Sequence, residues 1–217
     1  TVTSRSSSPI AIIGMGCRFP GAADLDAFSN LLLEQRSAIG LMPAHRFDAS
    51  RYYDPDVTAY GKSYCRIGAC IDEHEVDFAS LGLSEEEARA ADTLHLWALE
   101  VAKGTLEHAG LDPFALRGEN VGVILGHSRS SVRGSDLSFS TAVESLLADL
   151  DAIPSLRDLS PERRAQLREA VADAVHRQYP TPVSDRPLLY RSSEAAGLVS
   201  RTFGFSGRHF VADAACA

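Results

Sequence analysis

Four cysteines and seven histidines are the residues of this 217-residue chain best suited to nucleophilic, metal or proton-transfer chemistry. Cys216 stands directly after a strand predicted from residue 208 to about 213, among Ala214, Ala215 and Ala217. If a helix follows, the thiol lies at a strand-to-helix turn, where backbone N–H groups and the helix dipole lower a thiol pKa and favour the thiolate. Small neighbours would let a substrate approach closely. The local pattern leaves two readings open, a nucleophile or a buried unreactive thiol. Cys65-x4-Cys70-x3-His74 is the only metal-like spacing. Structural zinc needs four ligands, and no second Cys or His pair lies at a fitting distance, so no metal is expected. The histidines at 45, 74, 95, 108, 127, 176 and 209 are scattered singly. His95 and His108 fall off the apolar stripe of their helix and read as surface or helix-end residues. His127 follows a strand, a place where α/β proteins often hold ligands. Gly14-Met-Gly16 after an apolar run invites a dinucleotide-binding reading, but the third glycine position is Phe19, and Pro20-Gly21 is turn chemistry rather than a helix start. Glu85, Glu86 and Glu87 are expected to form a solvated helix start favoured by the dipole.

The elements that must position these groups follow from periodicity. Residues 9–13, apolar and β-branched, predict a buried strand ended by Gly14. Asp24 can cap a helix over Leu25, Phe28 and Leu32 that ends near Gly40. Residues 41–83, rich in Asp, Tyr, Pro and Gly, are expected to be mostly irregular. A helix from about Asp92 carries Leu94, Trp97, Ala98, Val101, Ala102, Thr105 and Ala109 on one stripe and stops at Gly110. Residues 120–126 form an almost continuous apolar run, the pattern of a strand buried on both faces of a largely parallel sheet. A helical excursion is expected over 127–190. Phe139, Val143, Leu146, Leu147 and Leu150 make one of its stripes, and Leu167, Ala170, Val171, Ala174 and Val175 another. Pro154 and the Ser160-Pro161 helix start separate the two. A helix near 193–203, a turn at 204–207 and the last strand follow, and the whole is α/β in character.

Composition sets outer bounds. Asp plus Glu number 29 against 21 Lys plus Arg, a net charge of −8 that argues against a nucleic-acid partner. Hydrophobic residues at 45% and charged residues at 23% exclude disorder, collagen and coiled coil. The cysteines are too few and too scattered for a disulfide framework, which points to an intracellular, cytoplasmic protein. No apolar run approaches the roughly 20 residues of a membrane span. Residues 1–9 are Ser-rich and read as a flexible linker. Ala215, Cys216 and Ala217 carry no turn or linker signal, so the fold is expected to continue past them.

The motifs together resemble a known family. Ile10-Ala-Ile-Ile-Gly-Met-Gly-Cys-Arg-Phe-Pro-Gly21 is similar to the opening of the β-ketoacyl synthase (ketosynthase) domain of type I polyketide synthases. The likeness continues through Pro43, Arg46-Phe-Asp48 and Tyr52-Tyr53-Asp54-Pro55. It returns at Leu99-Glu-Val-Ala102, Leu106-Glu107, Ala109-Gly110 and Val121-Gly-Val123. Ala196-Gly197, Arg201 and Gly204-Phe-Ser-Gly207, leading to Asp213-Ala-Ala-Cys216, resemble the approach to the family's active-site cysteine. The likeness covers nearly all of 10–217 apart from 127–190. Departures are Ala214 and Ala217, where the common pattern has Thr and Ser, and Asp92-Thr-Leu-His95 in place of Asp-Pro-Gln-Gln. With Lys62-Ser-Tyr-Cys65, these are more similar to the iterative synthases of polyunsaturated fatty acids and enediynes.

The resemblance implies a thiolase-like layered α/β fold, here its incomplete N-terminal half, usually dimeric through the region before the cysteine. It implies Cys216 as catalytic nucleophile and a decarboxylative Claisen condensation. An acyl group on Cys216 would join a malonyl-type thioester borne on the phosphopantetheine of an acyl carrier protein, with no cofactor bound directly. The family's two assisting histidines lie after its cysteine, so none of the seven here takes their roles. A chain without them, and without the C-terminal half as partner, is expected to be inactive alone. The alternative is a non-condensing ketosynthase-like module that binds a carrier protein or only transfers acyl groups. Arg186, Arg191, Arg201 and Arg208 are the candidate arginines for an acidic carrier.

Overall fold

The computed structural model describes residues 9–71, 76–127, 132–179 and 192–213. In chain order the elements are α1 (Leu25–Leu33), β1 (Gly40–Leu41), α2 (Ala49–Tyr52), β2 (Ile67–Gly68), α3 (Glu85–Ala90), α4 (Thr93–His108), β3 (Val123–Gly126), α5 (Val132–Thr141), α6 (Val143–Ala152), α7 (Pro154–Arg157), α8 (Pro161–Gln178), α9 (Ala195–Phe203) and β4 (His209–Ala212). They divide into two units, the first made of the described residues up to 71 with Val101–Asp112, the second of the remainder.

In the first unit Asp24 accepts a hydrogen bond from the Ala27 N–H at 2.8 Å and so starts α1, as its type and place predict. The helix stops at Leu33, short of Gly40. Gln35 turns into the left-handed region at φ 53°, and the Arg36 N–H closes back on the Leu31 carbonyl at 3.0 Å, satisfying an orphan helix carbonyl. β1 and β2 form a short antiparallel pair, Gly40 against Gly68 and Leu41 against Ile67. Residues 10–13 do not form the expected strand, and Ile10 and Ile12 stand 96% and 84% exposed. A strand exists only where a ladder receives its N–H and C=O groups, and no described residue pairs with this run.

What holds the segment is its glycine pair. A Cβ on Gly14 would strike the Thr105 carbonyl and come within 2.9 Å of the Ala109 Cβ. One on Gly16 would strike the Thr105 hydroxyl and stand 3.1 Å from the Val101 carbonyl. Gly14 and Gly16 thus let one backbone lie directly on the second half of α4, which is reason enough for the Gly-x-Gly spacing without a phosphate. The Met15 N–H donates to His108 Nδ1 at 3.2 Å across the same contact.

The second unit is built on a parallel pair of strands. β3 and β4 run in register from Val123 opposite His209 to Gly126 opposite Ala212. α9 packs on both strands and is their main cover, with Ala195, Ala196, Leu198, Val199 and Phe203 buried. Phe203, fully enclosed, meets Phe114 edge-on at 5.4 Å and Phe205 at 5.6 Å. Gly204 ends α9 at φ 73°, and the Phe205 N–H returns to the Ser200 carbonyl at 2.9 Å. The chain is then pinned before β4: the Gly118 N–H reaches the Gly204 carbonyl at 2.8 Å and the Ser206 N–H the Glu119 carbonyl at 2.9 Å. That tie sets where β4 begins beside β3.

The parallel pairing agrees with the sequence, but burial on both faces does not. Ile124 is 65% exposed and its register partner Phe210 50%. α9 shields Val123, Leu125 and Val211, and among the described residues nothing covers the opposite face. Residues 132–178 carry α5 to α8. Ser160 caps α8 by accepting from the Arg163 N–H, and Pro161 occupies its first turn. Val143 and Leu147 are the buried members of the first predicted stripe, while Phe139 stacks on Tyr179 at 4.9 Å. Glu85 to Glu87 open α3 as expected, held by a capping box in which Ser84 and Glu87 satisfy each other's backbone N–H.

Candidate active site

The carboxyl ends of parallel strands are where α/β sheets present their chemistry. At that end of the β3–β4 pair the His127 N–H donates to the Ala212 carbonyl at 3.1 Å, extending the ladder by one bond beyond Gly126. β4 therefore leaves its last residue, Ala212, beside His127. Cys216, the expected nucleophile, lies outside the described residues, as does His74 of the metal-like spacing.

His127 has a neighbour that its isolation in the sequence conceals. Its ring stands edge-on to that of His95, with centroids 6.3 Å apart. His95 was expected at the surface, and it is 1% exposed. The correction comes from the rotation of α4: its buried positions in the second unit are His95 and Leu99, one turn apart, while Leu94 is 38% exposed. Leu94 at the start of the expected stripe is turned out of the buried face, whereas Val101, Thr105 and Ala109 of the same stripe meet Gly14 and Gly16 in the first unit. Asp92, fully enclosed, fixes that rotation by accepting from the Leu94 N–H at 2.9 Å as an N-cap does. The departure Asp92-Thr-Leu-His95 thus delivers a buried imidazole to the end of β3. His108 is exposed at the end of α4, as predicted, and His45, His176 and His209 are exposed as well.

The remaining cysteines do not converge. Cys17 and Cys70 are half-buried and Cys65 exposed. The Cys70 thiol meets Met42 Sδ at 3.5 Å, and that of Cys65 faces the Ile67 carbonyl at 3.4 Å. Among the described residues no group of three or more His, Cys, Asp or Glu is placed to hold a metal ion. No described helix is long and apolar enough to cross a membrane. Of the candidate docking arginines, Arg201 is ion-paired with Glu194 at 3.1 Å, Arg208 is exposed, and Arg186 and Arg191 lie outside the described residues.

Comparison with known proteins identifies the family and the fold. Residues 7–217 match the family described as Beta-ketoacyl synthase, N-terminal domain. A phenolphthiocerol synthesis polyketide synthase type I, Pks15/1 of Mycobacterium marinum, is 38% identical over 136 residues, 61% of this chain and 6% of that protein. The chain therefore spans a small fraction of the curated relatives it matches. Among solved structures, the oxazolomycin ketosynthase domain OzmH KS7 of Streptomyces albus JA3453 superposes with a TM-score of 0.67 at 25% identity, covering 95% of this chain and 30% of that one. The PfaC keto synthase–chain length factor superposes at 0.69 with 16% identity, covering 97% and 22%, a likeness of fold. The architecture is the thiolase-like α/β fold of ketosynthases, of which these residues cover a part.

Proposed function

The chain belongs to the β-ketoacyl synthase N-terminal domain family, and from that premise we propose that it carries the nucleophile of a condensing enzyme of polyketide or fatty acid biosynthesis. Cys216 is that nucleophile. Its thiolate adds to the carbonyl of an acyl thioester presented on the phosphopantetheine of an acyl carrier protein. The tetrahedral intermediate collapses, the phosphopantetheine thiol leaves with a proton, and an acyl-cysteine remains. A malonyl-type thioester then loses CO2, and the bonding pair becomes an enolate. The enolate carbon attacks the acyl-cysteine, a carbon–carbon bond forms, and the Cys216 thiolate is released. The Cys216 N–H contributes to the oxyanion hole that holds the charge in both additions.

The observation that carries this reading is the family match over residues 7–217, a span that takes in Cys216 and the Gly204-Phe-Ser-Gly207 turn that sets β4 beside β3. Strand direction supports it, because β4, the last described strand before Cys216 in the sequence, ends on the side of the sheet where His127 stands. The open face at Ile124 and Phe210 supports a further partner, which we assign to the C-terminal half of a ketosynthase, with a homodimer as the assembly. The test is to mix the full-length protein with acyl-loaded and malonyl-loaded carrier protein and to follow the carrier by mass spectrometry. A β-ketoacyl product is expected. Acyl-Cys216 without that product would favour the non-condensing module instead.

A further inference from the structure

Two imidazoles of the second unit have no part in the chemistry above. Buried His95 comes from the first turn of α4, and half-buried His127 follows β3 at the carboxyl end of the parallel pair. Their rings meet edge-on at 82°, with centroids 6.3 Å apart. The contact belongs to this chain's own sequence, since the common pattern resembled by Asp92-Thr-Leu-His95 ends in Gln and brings no ring there. Enclosure fixes the His95 ring, and the edge contact in turn limits rotation of the His127 ring. Asp92, fully enclosed at the start of the same turn, adds a carboxylate, so a proton carried by the pair is not a lone buried charge. The other ionisable groups on the described elements around His127 are Asp213 after β4 and Glu194 at the start of α9, which pairs with Arg201 at 3.1 Å. Arg208 and His209 stand at the opposite end of β4.

We propose that His127 accepts the thiol proton of Cys216 during acyl transfer and that His95 is its positioning residue. The proposal rests on Cys216 as nucleophile, which follows Ala212, the residue beside His127, by four positions in the sequence. The thiol proton passes to an imidazole nitrogen of His127, leaving a thiolate and an imidazolium. The thiolate adds to the acyl thioester carbonyl. When the tetrahedral intermediate collapses, the bond from carbon to the phosphopantetheine sulfur breaks, and that sulfur takes the proton back from His127. His127 ends neutral, and no further reactant is needed.

The test is the pH profile of iodoacetamide alkylation of Cys216 in the full-length protein, mapped by peptide so that the other cysteines do not contribute. A thiolate–imidazolium pair keeps the native thiol reactive below the midpoint of about 8.5 of an ordinary thiol. His127→Asn should move the midpoint up by about one pH unit or more and slow acyl transfer from a carrier thioester by about 100-fold. His95→Gln, which installs the residue of the common pattern, should move the midpoint part of the way. In the His127→Asn background it should move it no further, because a positioning residue acts only through the group it positions. His176→Gln, at an exposed position on α8, should match the native profile. Coincident profiles for the native and His127→Asn proteins, or an equal effect of His95→Gln in both backgrounds, would overturn the assignment. Absence of acyl transfer to Cys216 in the native protein would instead sink the nucleophile reading, while the alkylation profile, which needs no carrier, would still decide this one.

Discussion

Thr105 offers the contact between the glycine pair and α4 two different atoms, and substitution can tell them apart. Alanine at position 14 would press its Cβ on the Thr105 carbonyl, which belongs to the helix backbone. Alanine at position 16 would press on the Thr105 hydroxyl, which a second substitution can remove. Overfilling a packed contact costs about 1–3 kcal/mol, so both single variants should lose that much stability. Thr105→Ala, made alone, loses the 2.7 Å bond from its hydroxyl to the Val101 carbonyl. Combined with Gly16→Ala it should recover about 1 kcal/mol of coupling. The rescue is partial, because the Val101 carbonyl at 3.1 Å and the Thr105 nitrogen at 3.2 Å still crowd the new methyl. With Gly14→Ala, Thr105→Ala should show no coupling, since the carbonyl stays. Gly40→Ala, which meets nothing within 4 Å, serves as the control and should change stability by less than about 0.5 kcal/mol. Urea unfolding of the single and double variants measures all of these. Equal rescue of both glycine variants, or of neither, would refute the assignment of the two contacts.

Phe203→Ala, at the enclosed centre of the Phe114, Phe203 and Phe205 cluster, should cost about 3–5 kcal/mol in the same assay. Ser160→Ala should cost about 1 kcal/mol by removing the cap of α8, visible as lost helical circular dichroism on mild heating. The Glu162 carboxyl is held below its usual range by its own backbone N–H and then by the Ser160 hydroxyl. A depressed carboxyl stabilises the fold above its unfolded-state value and loses that contribution as pH falls through the lower folded-state value. Glu162→Gln should therefore flatten the acid limb of a stability-against-pH curve, and an unchanged limb would count against the bond pattern.

Much of the architecture could be read locally. Asp24, Ser160-Pro161, Gly110 and Gly204 act within one turn of themselves, so their types and places predict helix ends without knowledge of the rest. The capping box at Ser84 and Glu87 is equally visible as spacing. Non-local features were harder. Residues 10–13 have strand composition, but a ladder needs a neighbour that composition does not name. The apolar run of β3 shows that it can be buried, not which face α9 covers. His95 escaped because two stripes on α4 compete, and choosing between them depends on Asp92 and on what lies against the helix. The meeting of His95 with His127 follows from that choice.

The central claim is that Cys216 takes the acyl group, and intact-mass analysis tests it directly. Full-length protein and its Cys216→Ala variant are incubated with an acyl-carrier thioester, and labelled peptides are mapped. The account predicts one acyl adduct on Cys216 in the native protein and none in the variant. Equal labelling of both, or an adduct at Cys17, Cys65 or Cys70 instead, would contradict it.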